Sequence, residues 1–185
     1  VLHDSRETLP WNPIRWNIAI DMGKGLSYLH SQKILHRDLK SLNVLLDQNY
    51  RAKITDFGLA KIKLETNSTS TKTKRGMGTT RWQSPELFSI DEDAPSTTQK
   101  TDVYSYGMVL WEIASRELPY KNAPDDMMAG IWIMKGKNEK VPENTPKVYK
   151  TIIEQAWEKT PEKRPQVHGM VSKLQAGRTQ MGVPT

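Results

Sequence analysis

Two short segments of the sequence carry the residue types that phosphoryl transfer needs. Residues 36–43 read HRDLKSLN, and residues 55–58 read TDFG. This reaction asks little covalent chemistry of a protein, which must hold metal-bound phosphates, place a hydroxyl in line and offer an acceptor for its proton. The residues that could do this chemistry are therefore those whose positions must be explained.

Four side chains in these segments form the candidate site. Asp38 and Asn43 stand five positions apart and can face one cavity from opposite ends of a loop. Lys40 lies between them and can offer a point charge to a phosphoryl group. Asp56 can supply the hard carboxylate oxygen that magnesium prefers.

Short strands are predicted on either side of these residues. Apolar runs at 34–36, 44–46 and 52–55 are bounded by polar turns, a pattern that indicates strands. The segment HRDLKSLN would then loop between the first two strands, and Asp56 would follow the third.

Helices are predicted for most of the remaining chain. The first spans residues 13–30, where apolar side chains recur on one helical face. Residues 101–114 are apolar nearly all round apart from Asp102 and Glu112, which is typical of a helix in the centre of a domain. Further helices are predicted over about 124–135, from 145 onward and over about 165–174. Residues 65–78 lack periodicity and are predicted to form a long loop.

Composition narrows the classes of protein. The chain has 185 residues, no cysteine and four scattered histidines, which excludes disulfides and argues against a zinc site. Its net charge of +6 raises nucleic acid as a partner, but the densest basic run, KTKR at 72–75, is short and has no interleaved aromatics. No apolar run approaches a membrane span and the start lacks a signal-peptide core, so a cytoplasmic protein is expected.

The motifs and their order resemble the C-terminal lobe of the protein kinases. HRDLKSLN and DFG match H-R-D-L-x-x-x-N and D-F-G. The chain also has SPE at 84–86 where the family has A-P-E, a helix that begins near Asp102, and WEKTPEKRP at 157–165. The resemblance covers almost the whole chain and implies an α+β, mainly helical kinase lobe over residues 1–176, with a frayed tail at 177–185.

The resemblance assigns chemical roles to particular residues. Asp38 would be the catalytic base and Lys40 the phosphate-facing charge, while Asn43 and Asp56 would bind magnesium. Leu45 would lie beneath the adenine ring of ATP. The implied cofactors are ATP and Mg²⁺, and the implied substrates are proteins.

Other residues receive structural or regulatory roles from the same resemblance. Arg37 would receive an activation-loop phosphate, and Thr79 would contact Asp38 and Lys40. The residues with an implied structural role are His36, Phe57, Glu86, Asp102 and Arg164. Asp102 would anchor the catalytic loop, and Glu86 and Arg164 would form a buried ion pair. For His36 the alternatives are a packed structural hinge of the loop and a catalytic group, and the hinge is expected because Asp38 is the residue with reach to the substrate proton.

The residues within and beside the motifs favour one group of kinases. Lys40 two residues after Asp38 and the segment GTTRW at 78–82 resemble serine/threonine kinases. The segments DMGKGLSYLH and W-x-x-x-P-x-x-R-P resemble the tyrosine-kinase-like group, which includes mixed-lineage and Raf-type kinases. Gln83 and Ser84 depart from the usual Met and Ala, in the segment that shapes the substrate pocket.

Two parts of the kinase signature set have no counterpart in the sequence. A Gly-rich loop over the phosphates and a strand lysine are missing, and GKGLSY at 23–28 is predicted to pack inside the first helix. An N-terminal lobe is therefore expected upstream of Val1. The alternatives are a truncated, catalytically incompetent fragment that acts as a binding or scaffold module, and a small-molecule phosphotransferase, against which SPE and the helix at Asp102 argue.

Overall fold

The structure is a computed structural model that describes residues 10–56, 61–62, 79–88 and 97–182. Its α-helices are α1 (Trp16–Ser31), α2 (Gln99–Ser115), α3 (Asp126–Met134), α4 (Lys147–Ala156) and α5 (Val167–Gln180). Its strands are β1 (Ile34–Leu35), β2 (Val44–Leu46), β3 (Ala52–Ile54) and β4 (Lys61–Ile62). Short helical turns occur at Trp11–Arg15, Ser41–Asn43, Thr80–Trp82, Pro85–Phe88 and Pro161–Lys163. The predicted α+β class with a mainly helical lobe is confirmed.

Helix α2 passes through the core and is buried along most of its length. Thr98 and Thr101 form a capping box at its start, in which the side chain of each residue accepts a hydrogen bond from the backbone N–H of the other. Nearly every residue from 101 to 114 is buried, as the sequence predicts for a central helix. Arg116 ends the helix in a left-handed conformation with φ of 61°. Side chains of α2 are therefore held in the core, and segments that bind them are attached to the core as well.

Helix α1 packs closely against α2 and α5. A Cβ atom at Gly23 would lie 2.6 Å from both the hydroxyl of Tyr106 and a methyl group of Val171. The hydroxyl of Tyr106 donates a hydrogen bond to the carbonyl of Ala19 at 2.7 Å, and burial raises the pKa of this tyrosine. GKGLSY thus lies within α1 and contributes to helix packing, as the sequence indicates.

The strands form two small antiparallel pairs beside α1. Strand β1 pairs with β4, and β2 pairs with β3 through a hairpin in which Leu45 is opposite Lys53. The backbone N–H groups of Arg51 and Asn49 bind the Asp47 carboxylate in the hairpin turn and lower its pKa. The predicted strands at 34–36, 44–46 and 52–55 are confirmed to within one residue, and HRDLKSLN joins β1 to β2. Strand β4 was not predicted.

The C-terminal helix continues beyond its predicted end. Helix α5 reaches Gln180, so the predicted end near 174 was wrong. A Cβ atom at Gly177 would lie 2.9 Å from the ring of Trp16, so this glycine permits close packing within a helix. None of the helices in the described ranges is long and apolar enough to cross a membrane. The predicted loop at 65–78 lies outside the described residues.

Candidate active site

The buried carboxylate of Asp102 holds the start of the HRDLKSLN loop. Its two oxygens accept the backbone N–H groups of His36 and Arg37, each at 2.9 Å. Oδ2 also lies 2.9 Å from Nε2 of His30 on α1. Because Asp102 is in the first turn of α2, the loop is attached to the most buried helix of the structure.

The ring of His36 is fully buried between the loop and the residue that follows β3. Its Nδ1 accepts the N–H of Asp38 at 3.3 Å, and its Nε2 lies 3.1 Å from the carbonyl of Thr55. An accepting Nδ1 leaves the proton on Nε2, which can then donate to that carbonyl. The ring thus joins the start of the loop to the residue after β3, and the role of His36 as a structural hinge stays a prediction.

Three predicted site residues meet around the carboxylate of Asp38. Asn43 donates from Nδ2 to the carbonyl of Asp38 at 2.7 Å and to its Oδ2 at 3.1 Å. Lys40 Nζ lies 3.0 Å from the same Oδ2 and donates to Thr79 Oγ1 at 3.0 Å. Thr79 thus reaches Asp38 through Lys40, and the four side chains form one connected cluster.

Leu45 lies on β2 of the hairpin that follows the loop, and Asp56 comes two residues after β3. Thr55 donates its N–H to the carbonyl of Asn43 at 2.8 Å, which brings the residue before Asp56 against the end of the loop. Asp56 is solvent-exposed, and 59% of Leu45 on β2 is exposed. The hairpin therefore presents a carboxylate and an apolar side chain at the surface beside the Asp38 cluster.

The donor set of Asn43 and Asp56 suits a magnesium ion that shares its coordination with phosphates. Because Nδ2 of Asn43 binds Asp38, the planar amide turns Oδ1 away from that carboxylate. Mg²⁺ commonly takes one or two protein oxygens and completes its shell with phosphates and water. Within the described ranges, no group of three or more His, Cys, Asp or Glu residues could hold a metal ion.

Arg37 and Asp56 adopt a backbone conformation that is costly for residues other than glycine. Their φ angles are 70° and 61°, in the left-handed region. Such strain is frequent at functional sites, although Lys33 and Tyr50 share it here. The buried Nε of Arg37 has no hydrogen-bond partner among the described residues. Phe57, a predicted structural residue, lies outside them.

Glu86 and Arg164 form a bidentate ion pair at the base of the structure. The two oxygens of Glu86 accept from the two terminal nitrogens of Arg164 at 2.7 and 2.8 Å. Arg164 also donates to the carbonyls of Lys100 and Glu158, and its guanidinium lies 5.1 Å from the Tyr104 ring centre. The pair joins the SPE segment to the first turn of α2 and to the residues before α5.

Two further sets of polar contacts hold the segment at 79–82. The sequence analysis predicted no role for Arg81 or Glu112, the residues that form them. Arg81 binds Asp126 on α3 at 2.7 Å, together with two backbone carbonyls. Glu112 on α2 accepts hydrogen bonds from Ser41 and from the indole of Trp82. The feature of the sequence that could have indicated a role for Glu112 is its charge within a helix that is apolar apart from Asp102.

Ser84 is a buried residue that stands where the kinase pattern has Ala. We expect it to lower the stability of the folded protein. It is fully buried, and its Oγ has no hydrogen-bond partner among the described residues. Ser84→Ala removes an unsatisfied hydroxyl, so we expect the free energy of unfolding to rise by about 1 kcal/mol. Urea unfolding of the two proteins measures this difference.

Ser105→Ala is the matched control for that prediction. The hydroxyl of Ser105 donates a hydrogen bond to the carbonyl of Trp82 at 2.8 Å. The substitution removes this hydrogen bond. We expect this variant to be less stable than wild type. Equal losses of stability in both variants would contradict the interpretation of Ser84.

Comparisons with known proteins identify the family. The family model described as protein tyrosine and serine/threonine kinase matches residues 1–174. Serine/threonine-protein kinase STY46 of Arabidopsis thaliana is 37% identical over 171 residues, which are 92% of this chain and 28% of that protein. Serine/threonine-protein kinase CTR1 of the same plant is 40% identical over 154 residues, 82% of this chain and 18% of that protein. Serine/threonine/tyrosine-protein kinase HT1 is 35% identical over 158 residues, 85% of this chain and 38% of that protein.

The chain belongs to the protein kinase family. It is related to serine/threonine kinases of the tyrosine-kinase-like group, as its motifs indicate. It spans well under half the length of the curated relatives it matches.

Proposed function

We propose that this chain is the C-terminal lobe of a serine/threonine protein kinase that transfers the γ-phosphate of Mg-ATP to protein hydroxyls in cytoplasmic signalling. The observation that carries the proposal is the cluster of Asp38, Lys40, Asn43 and Thr79. Each contact in the cluster fixes a side chain that phosphoryl transfer can use.

Asp38 would accept the proton of the substrate hydroxyl. Lys40 and Asn43 both engage Oδ2 of this carboxylate, which leaves Oδ1 for the incoming hydroxyl. As the hydroxyl oxygen bonds to the γ-phosphorus and the bond to the leaving ADP oxygen breaks, the proton passes to Oδ1. The two neighbours hold the carboxylate so that the acceptor oxygen has a defined direction.

The remaining candidate residues would hold the nucleotide and its metal. Bound Mg²⁺ would neutralise charge on the phosphates. Asn43 and Asp56 would supply its protein oxygens, and Lys40 would attract the transferred group. The exposed Leu45 would offer an apolar surface to the adenine ring. Arg37, whose Nε is buried and unpaired among the described residues, would bind a phosphate on the activation loop.

The link from Lys40 to Thr79 supports serine and threonine as acceptors. It places the segment at 79–82 within one hydrogen bond of the phosphate-facing lysine. Two relatives, STY46 and CTR1, are named serine/threonine-protein kinases, while the name of HT1 adds tyrosine. Protein substrates are proposed as the partners, with no role for nucleic acid.

Phosphate transfer by the full-length protein tests the proposal. With labelled ATP, Mg²⁺ and a generic protein substrate such as casein, we expect label in phosphoserine or phosphothreonine. Excess EDTA should abolish the incorporation, because the proposed metal ligands act only through the ion. Phosphotyrosine alone would overturn the serine/threonine assignment. No incorporation with Mg²⁺ would favour a binding or scaffold module.

A further inference from the structure

A cavity of about 350 Å³ lies between α4 and the segment that joins α3 to α4, residues 135–146. Its volume falls within the range of about 300–1,000 Å³ that is usual for ligand sites in proteins. None of the residues that line it belongs to the Asp38 cluster. The cavity is therefore a second place on this protein where a ligand has room to bind.

Trp157 presents a hydrogen-bond donor without an acceptor to this cavity. It lies at the end of α4, lines the cavity and has only 5% of its surface exposed. Its indole N–H makes no hydrogen bond with any of the described residues, and protein atoms do not enclose it. Because the rest of the side chain is buried, the cavity is the side from which an acceptor can reach this N–H. A ligand with a carbonyl oxygen would satisfy it.

Carboxylates outnumber ammonium groups around the cavity. Glu139, Glu143 and Glu154 supply three negative charges, and Lys140 and Lys150 supply two positive ones. The lining therefore carries a net charge of −1, on a protein whose net charge is +6. This local excess of negative charge favours a cationic ligand over an anionic one.

The ion pairs at the rim of the cavity are weak enough to exchange partners. Lys140 lies 3.3 Å from Glu143, and both side chains are almost fully exposed. Lys150 lies 3.8 Å from Glu154, and both are about half exposed. Ion pairs as exposed as these contribute little to stability. A guanidinium can displace the lysines, because its planar N–H groups fit a carboxylate better than an ammonium does.

The wall of the cavity that contains Glu139 is already fixed in place. Oε1 of Glu139 accepts the backbone N–H of Tyr120 at 2.6 Å. The carbonyl of the next residue, Lys140, accepts the indole N–H of Trp111 on α2 at 3.1 Å. These contacts exist without a ligand, so binding does not require this part of the chain to become ordered.

We propose that this cavity is a docking site for an arginine of a partner protein. The guanidinium binds the carboxylates of Glu143 and Glu154, and a backbone carbonyl next to the arginine accepts the indole N–H of Trp157. One arginine with its peptide backbone carries both groups that suit the lining, a cation and an acceptor. Docking of this kind does not require phosphoryl transfer, so the site stands or falls separately from the proposed function.

Binding of two labelled peptides to the full-length protein tests the docking site. The probes are fluorescein-labelled Ala-Ala-Arg-Ala-Ala-amide and the same peptide with citrulline, which keeps the shape of arginine without its charge. Fluorescence anisotropy gives the two dissociation constants. We expect the arginine peptide to bind at least about tenfold more tightly, because its hydrogen bonds to the carboxylates are charge-assisted.

Substitutions at the cavity should change the affinity in opposite directions. Glu154→Gln removes a partner of the guanidinium, so we expect the dissociation constant of the arginine peptide to rise about threefold or more. Lys150→Gln removes the cation that competes for Glu154 and should lower that constant about twofold. Trp157→Phe removes the indole donor and should raise the constant about fivefold.

Glu117→Gln is the matched control for these variants. Glu117 forms an exposed ion pair with Lys121 at 2.6 Å and does not line the cavity, so we expect the wild-type affinity. Equal binding of the arginine and citrulline peptides would overturn the proposal, as would failure of the arginine peptide to bind. Weaker binding in Lys150→Gln would indicate an anion site instead. Free arginine that competes as well as the unlabelled peptide would assign the cavity to the free amino acid and exclude docking.

Discussion

Replacing Asp38 with Asn is expected to lower protein phosphorylation by about 10²–10⁴-fold, the usual contribution of a positioned base. The carboxamide keeps the shape of the side chain but cannot take the hydroxyl proton. It also sets an NH₂ group or a neutral oxygen against Lys40 and Asn43, which now bind Oδ2. The measurement is the initial rate of phosphate incorporation by the full-length protein at saturating Mg-ATP.

Asp47→Asn is the matched control for this prediction. Asp47 lies in the β2–β3 turn, where its oxygen accepts two backbone N–H groups, and an asparagine oxygen can do the same. We expect the wild-type rate in this variant. A wild-type rate in Asp38→Asn as well would remove Asp38 from the role of base.

The second large effect is expected for Arg164→Ala, which breaks the buried ion pair with Glu86. Arg164 has 1% of its surface exposed and binds both oxygens of Glu86. Its loss removes the donor to the Glu86 carboxylate and to three backbone carbonyls, those of Lys100, Glu158 and Lys159. We expect the free energy of unfolding to fall by about 3–5 kcal/mol, as measured by urea denaturation.

Arg51→Ala provides the comparison on the surface. Two nitrogens of Arg51 likewise donate to the two carboxylate oxygens of Asp21, at 2.6 and 2.7 Å, but the Arg51 side chain is 57% exposed. Because exposed ion pairs are screened by water, we expect little change in the urea midpoint. Similar shifts for the two arginine variants would show that burial does not govern the Glu86–Arg164 pair.

Local patterns in the sequence predicted those parts of the structure that depend on neighbouring residues. The short strands around HRDLKSLN were predicted because polar turns bound each apolar run, and α2 because its residues are apolar on every side. Strand β4 was not predicted, since a two-residue strand is defined by its pairing with β1 and has no period of its own. The hydrogen bonds within HRDLKSLN span at most five positions, so spacing alone could suggest them.

Contacts between distant positions could not be predicted in this way. Ser41 and Glu112 are 71 positions apart, and no periodicity relates them. The last helix was predicted to end near 174, but α5 continues through Gly177, which permits close packing against Trp16 on α1. The roles of such residues depend on tertiary structure, which the family resemblance described only at its motif positions.

The capping box of α2 has a consequence for the order of the HRDLKSLN loop. Thr98 and Thr101 secure the same helical turn that carries Asp102, and Asp102 binds the backbone of His36 and Arg37. Fraying of that turn would release the catalytic loop, so the two share one local unfolding equilibrium. The fraction of molecules with an ordered candidate site then depends on the stability of the first turn of a core helix.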